Sequence, residues 1–107
     1  MGSEATASFH TNADPAAVGA AVNALITEKK YRLVGQTDDG LLIDFLTKKS
    51  MFNWELAVRV TVTPAASGSD VNLLLDVGLG RPPALMDGMK NRKAVDKLAA
   101  ELQSKLG

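Results

Sequence analysis

The chain has no cysteine, a single histidine, few aromatic residues (5%), no net charge and no long apolar run. Each scarcity removes a class of function. Without cysteine there are no disulfides, no thiolate nucleophile and no cysteine-ligated zinc, which fits a reducing, cytoplasmic setting. Twelve basic and twelve acidic side chains balance. That argues against nucleic acid as a partner, because such binding rests on an excess of cations neutralising phosphates. No stretch approaches the roughly 20 apolar residues that a membrane span needs, and Met1–Ala7 has neither the basic region nor the apolar run of a signal peptide. At 107 residues, 46% of them hydrophobic, the expectation is one domain, 1–107, around a single core.

What is present is organised around one long alternating segment, Asn53 to Pro64. Trp54, Leu56, Val58, Val60 and Val62 fall on one face; Glu55, Arg59, Thr61 and Thr63 fall on the other, with Ala57 among them. A period of two in β-branched residues is the signature of a strand buried on one side. Ahead of it, Glu4–His10 alternates weakly and reads as an edge strand of small side chains. Asp14-Pro15 starts a helix: the carboxylate accepts from free backbone N–H groups, and proline suits the first turn. Val18, Ala21, Val22, Leu25 and Ile26 then make one apolar stripe, and Lys29 and Lys30 favour the C-terminal end of the dipole.

Tyr31–Gln36 and Leu41–Lys48 read as strands joined by the turn Thr37-Asp38-Asp39-Gly40. In the second strand Tyr31 and Leu33 share one face, opposite Arg32 and Val34. Residues 64–70 read as a mobile hairpin loop before a fifth strand, Val71–Val77. A last helix ends near Leu106, with a stripe of Val95, Leu98, Ala99, Leu102 and Leu106, and Asp87 is the natural start because Gly88 is a poor helix interior.

The order β-α-β-β-β-β-α implies an α+β two-layer sandwich, a five-stranded antiparallel sheet with both helices on one face. This order resembles a half-repeat of the TATA-box-binding protein and a trimmed helix-grip (Bet v 1-like) fold. A narrower resemblance rests on Phe52-Asn53-Trp54 opening the valine-rich strand, on Arg81-Pro82, and on Asp87 with Lys90-Asn91-Arg92 at a helix start. Together these are similar to a group of small bacterial proteins of unknown function, in which Trp-Gly opens the strand and Asp-Trp-Gly-x-Asn precedes the helix. Here Glu55 stands in place of that glycine and Gly88-Met89 in place of Trp-Gly. The resemblance implies no known activity.

No catalytic constellation emerges from the residues. His10 has Ser8 two positions away on its strand but no nucleophile turn around it and no evident orienting partner, so it reads as a surface histidine. Asp44, Glu55 and Asp76 lie on outward rows, where Arg59 is the natural counter-charge. Gly78-Leu79-Gly80 lacks the lysine and the third glycine of a phosphate loop and is followed by prolines. Arg81, Lys90, Arg92 and Lys93 form a candidate anion contact near a helix start, where Asp87 and Asn91 compete for the same N–H groups. Neither a cofactor nor a metal is expected. The outward apolar residues Val34, Leu42, Leu46, Ala57 and Leu74, with Asp44 and Arg59 beside them, form a candidate interface. The expected function is a non-catalytic interaction domain that self-associates into a homo-oligomer through the open sheet face. The alternative is a carrier of a small apolar ligand between sheet and C-terminal helix, lined by Phe45, Trp54, Leu75, Met86 and Met89.

Overall fold

A computed structural model describes residues 5–47, 56–77 and 87–106. In chain order the elements are β1 (Ala5–Thr11), α1 (Pro15–Lys29), β2 (Arg32–Gln36), β3 (Leu42–Leu46), β4 (Leu56–Pro64), β5 (Ser69–Val77) and α2 (Asp87–Leu106). The expected α+β sandwich is found: a five-stranded antiparallel sheet in the order β1-β5-β4-β3-β2. β1 and β2, adjacent among the strands in sequence, stand at opposite edges. α1 bridges them, packing on β3 and β4, while α2 packs on β1 and β5 and against α1.

The alternation of β4 sets the layering. Val58, Val60 and Val62 are almost fully buried, whereas Arg59 and Thr63 face out. The register carries that inner face across the sheet. Ala5, Leu75, Val58, Phe45 and Leu33 stand in one cross-strand row, and Ala7, Leu73, Val60 and Ile43 in the next. Val18, Val22, Leu25 and Ile26 of α1 and Val95, Leu98, Ala99 and Leu102 of α2 close over these rows. Trp54, expected in the same core, lies outside the described residues.

Local chemistry explains where the elements stop. Asp14 caps α1, its Oδ1 accepting from Ala17 N–H at 2.7 Å, with Pro15 in the first turn. α1 ends with Lys30 in the left-handed region (φ 60), where its N–H bonds to Thr27 O while Tyr31 N–H bonds to Ile26 O. The β2–β3 turn closes on Gly40 (φ 72), and Asp39 accepts from the Thr37 hydroxyl and Leu41 N–H, holding its carboxyl below the ordinary range.

Two expectations need correction. β5 begins at Ser69, not Val71, so the loop before it shrinks to Ala65–Gly68. Ser69 is wholly buried, its hydroxyl donating to Ala13 O at 2.9 Å, which anchors the hairpin to the start of α1. Leu33 shares the inner row yet is 41% exposed, because the helices pack chiefly on β1, β5, β4 and β3. A bulge also shifts the register between Leu33 and Gly35, and Val34 is its extra residue.

Gly68 has φ 93, and a Cβ there would run into Thr11 O and the Asn12 backbone, whereas a Cβ on Gly40 would meet open space. Gly40→Ala should therefore lose only the left-handed preference, about 1–2 kcal/mol, and Gly68→Ala about 3 kcal/mol or more, since the backbone must also shift. Urea unfolding of the two variants measures the difference; equal losses would contradict it.

Candidate functional site

Two surfaces are candidates: the outer face of the sheet and the space between sheet and α2. The register composes the outer face. Leu46 stands beside Ala57, Asp44 beside Arg59, Arg59 beside Leu74, and Leu42 beside Thr61. Six of the seven expected interface residues thus come together, and Val34 sits on the edge bulge, 62% exposed. Leu42, Leu46, Ala57 and Leu74 are only half-buried. Between them runs an ion pair, Arg59 Nε and Nη2 donating to the two Asp44 oxygens at 2.9 and 3.1 Å. The fork-to-carboxylate geometry keeps the guanidinium charged, its pKa raised chiefly by the Asp44 hydrogen bond. Arg59 is therefore the counter-charge of Asp44, while Glu55 lies outside the described residues. The apolar patch is split by this pair.

At the β1–β5 end the same face is polar. His10 Nδ1 lies 2.8 Å from Asp70 Oδ1, across a register in which the two residues are direct neighbours. The expectation that His10 lacks an orienting partner is thus overturned. Sixty residues of sequence separate the pair, and Asp70 is the second residue of β5, in a stretch that the sequence reads as loop. Ser8, Thr63 and Asn72 join them around a shallow, open depression of about 330 Å³. Ser8 makes no hydrogen bond to His10. This is an exposed polar surface, with His10 and Asp70 side chains 50% and 63% exposed.

Between the layers the chemistry is different. Phe45 and Leu75, two of the expected ligand-lining residues, are fully enclosed by neighbouring side chains; Trp54, Met86 and the Met89 side chain lie outside the described residues. Tyr31 stacks on Phe45 with ring centroids 5.7 Å apart. Its phenol is pushed above the ordinary pKa mainly by burial and then by the charge of Glu101. α2 is tied to α1 by two pairs at their C-terminal ends, Lys29–Glu101 and Lys105–Glu28, each at 2.6 Å. Hydrogen bonding to Lys105 lowers the Glu28 pKa, and hydrogen bonding to Glu101 raises that of Lys29. Of the candidate anion contacts, Arg92 and Lys93 are exposed on α2; Arg81 and the Lys90 side chain lie outside the described residues. Among the described residues no group of three or more acidic or histidine side chains could hold a metal ion, and no described helix is long and apolar enough to cross a membrane.

With that architecture in hand, comparison with solved structures is informative. A START-superfamily protein from Mycobacterium smegmatis superposes with TM-score 0.60, at 11% identity, over 96% of each chain. The likeness is one of fold. The crystal structure of Ara h 8.0201 gives TM-score 0.59 at 9% identity, covering 96% of this chain and 93% of its own. The solution structure of the KanY protein gives 0.54 at 18% identity, covering 99% and 95%. No family model matches the sequence, and no curated protein does either. The expected element order is shared with these solved structures as a fold, while no family model supports the narrower, motif-based resemblance to small bacterial proteins of unknown function.

The helix-to-helix pairs predict a pH response of defined sign. Glu28 has a folded pKa below its unfolded value, so its contribution is present at neutral pH and is lost as pH falls from about 4.3 through the folded value. Lys29 has a raised value, so its contribution is lost only as pH rises above about 10.4. Lys105→Met should lower the urea midpoint at neutral pH and flatten its decline in acid, the two proteins converging once Glu28 is protonated. Parallel acid profiles would remove the pair from the account of α2 docking.

Proposed function

We propose that this chain is a non-catalytic binding domain that carries a small apolar ligand between its sheet and α2. The observation that carries the reading is the uniformity of the inner face. From Ala5 through Leu75 and Val58 to Phe45, and from Ala7 through Leu73 and Val60 to Ile43, every position is hydrocarbon. These side chains are enclosed in the chain alone, so a ligand enters by parting the layers and is selected by shape and apolar surface. Tyr31 is the described polar side chain at the margin, half-buried and stacked on Phe45. β4 begins where β5 ends, Leu56 opposite Val77. In sequence, Trp54 precedes that point, and Met86 and Met89 fall either side of the first residues of α2. Kinship of fold with a START-superfamily protein supports the architecture of the reading; fold alone names no ligand.

The test combines native mass spectrometry of the purified protein with titration by anilinonaphthalene sulfonate, competed by a long-chain fatty acid. One equivalent of probe per chain, excited by energy transfer from the single tryptophan and displaced by the competitor, is expected. A folded protein that retains no ligand and binds no probe would exclude the carrier reading.

Absence of catalysis is part of the proposal. The His10–Asp70 pair orients an imidazole, but on an open surface with no shielded reaction site. Should any turnover be measured, His10→Ala is expected to leave it within about twofold; a hundredfold loss would make the pair catalytic.

A second reading, self-association, draws on the sheet face that no described helix covers and on Leu33 and Val34, the exposed large hydrophobics among the described residues. The Arg59–Asp44 pair divides that face, which directs attention to the sheet's edges.

A further inference from the structure

The two edges of the sheet are unequal. β2 carries the usual protection of an edge strand: it is five residues long, bears Arg32, and is broken by the bulge at Val34. β1 has none of these. Its seven residues, Ala5 to Thr11, pair with β5 in an unbroken register, and they include no proline, no lysine or arginine, and no carboxylate. In such a ladder alternate backbone N–H and C=O groups point away from the neighbouring strand. Among the described residues no strand takes those of β1.

We propose that two copies of this chain pair through the free edges of their β1 strands, antiparallel about a two-fold axis at Ser8, to make one continuous sheet. This rests on the self-association reading and replaces the face with the edge as its surface. Symmetry and the pleat choose the register. Residues opposite one another across an antiparallel pair share a face, so the axis must fall on a residue and not between two. Ser8 is the midpoint of Ala5–Thr11, and only that axis pairs all seven residues. On the core side it sets Ala7 of one copy against Phe9 of the other. Both are half-buried in the single chain and already pack at the margin of the core, so the pairing extends that core across the seam. On the outer side Thr6 faces His10 of the other copy, while Asp70 holds that imidazole from the β5 side. A patch that complements itself by two-fold rotation suits a second copy better than an unrelated strand.

The absence of native cysteine makes the register directly readable. In Ser8→Cys the two thiols stand opposite each other at the axis, with Cβ atoms about 4.5–5.5 Å apart. In Thr6→Cys they are four residues apart along the strand, about 14 Å. Both positions are exposed, so neither change burdens the monomer. Wild type should be a dimer by light scattering at tens of micromolar. Under mild oxidation Ser8→Cys should give at least about tenfold more disulfide dimer than Thr6→Cys, and Ser8→Lys, which opposes like charges at the axis, should be a folded monomer. A monomeric wild type overturns self-association itself. A wild-type dimer that survives Ser8→Lys, cross-links the two cysteine variants equally, or falls apart in Leu42→Glu with Leu46→Glu overturns the edge and leaves the face.

Discussion

The structure depends on one covalent constraint: the strands at the two edges of the sheet are joined by a single helix. α1 has fifteen residues, about 22 Å of helix, against the roughly 19 Å that four interstrand spacings occupy. That length suffices for one helix to lie over β4 and β3 and deliver the chain to β2. α2 packs beside α1 on the same face, over β1 and β5. The alternation of β4, β5 and β3 follows the same demand, since only one side of each strand has a helix to meet.

The two faces consequently carry different chemistry. Under the helices hydrocarbon meets hydrocarbon, and the single wholly buried polar side chain among the described residues, Ser69, has its partner in Ala13 O. On the outer face polar side chains pair laterally along the register, Arg59 with Asp44 and His10 with Asp70. Such exposed pairs contribute little to stability. Their effect is to keep an uncovered sheet from presenting a continuous apolar surface. The carrier reading uses the first face, the pairing of copies uses an edge, and neither requires the other.

Among the described side chains, α2 is anchored both by apolar burial and by ion pairs to α1. Val95, Leu98, Ala99 and Leu102 are buried, and Glu101 and Lys105 pair with Lys29 and Glu28 of α1. β5 pairs one edge of β1 and α2 packs on its core side, two elements distant from it in sequence.

Whatever depends on neighbours a few residues apart was legible in the sequence. The alternation of Val58, Val60 and Val62, the Asp14-Pro15 cap, the glycine turn at Gly40 and the stripes of both helices are local patterns, and they determined the element order and the two-layer class. The sequence also marked Arg59 as the counter-charge of Asp44, because both stood on outward rows of strands expected to adjoin. Strand order, register and edge exposure were decided only in three dimensions. Nothing local reveals that β1 pairs with β5, that Asp70 reaches His10, that Glu28 meets Lys105, or that Leu33 is left uncovered. Side-chain periodicity is a property of the backbone at each residue, whereas the choice of partner strand and of the helix above it is set by how the whole chain closes its one buried face.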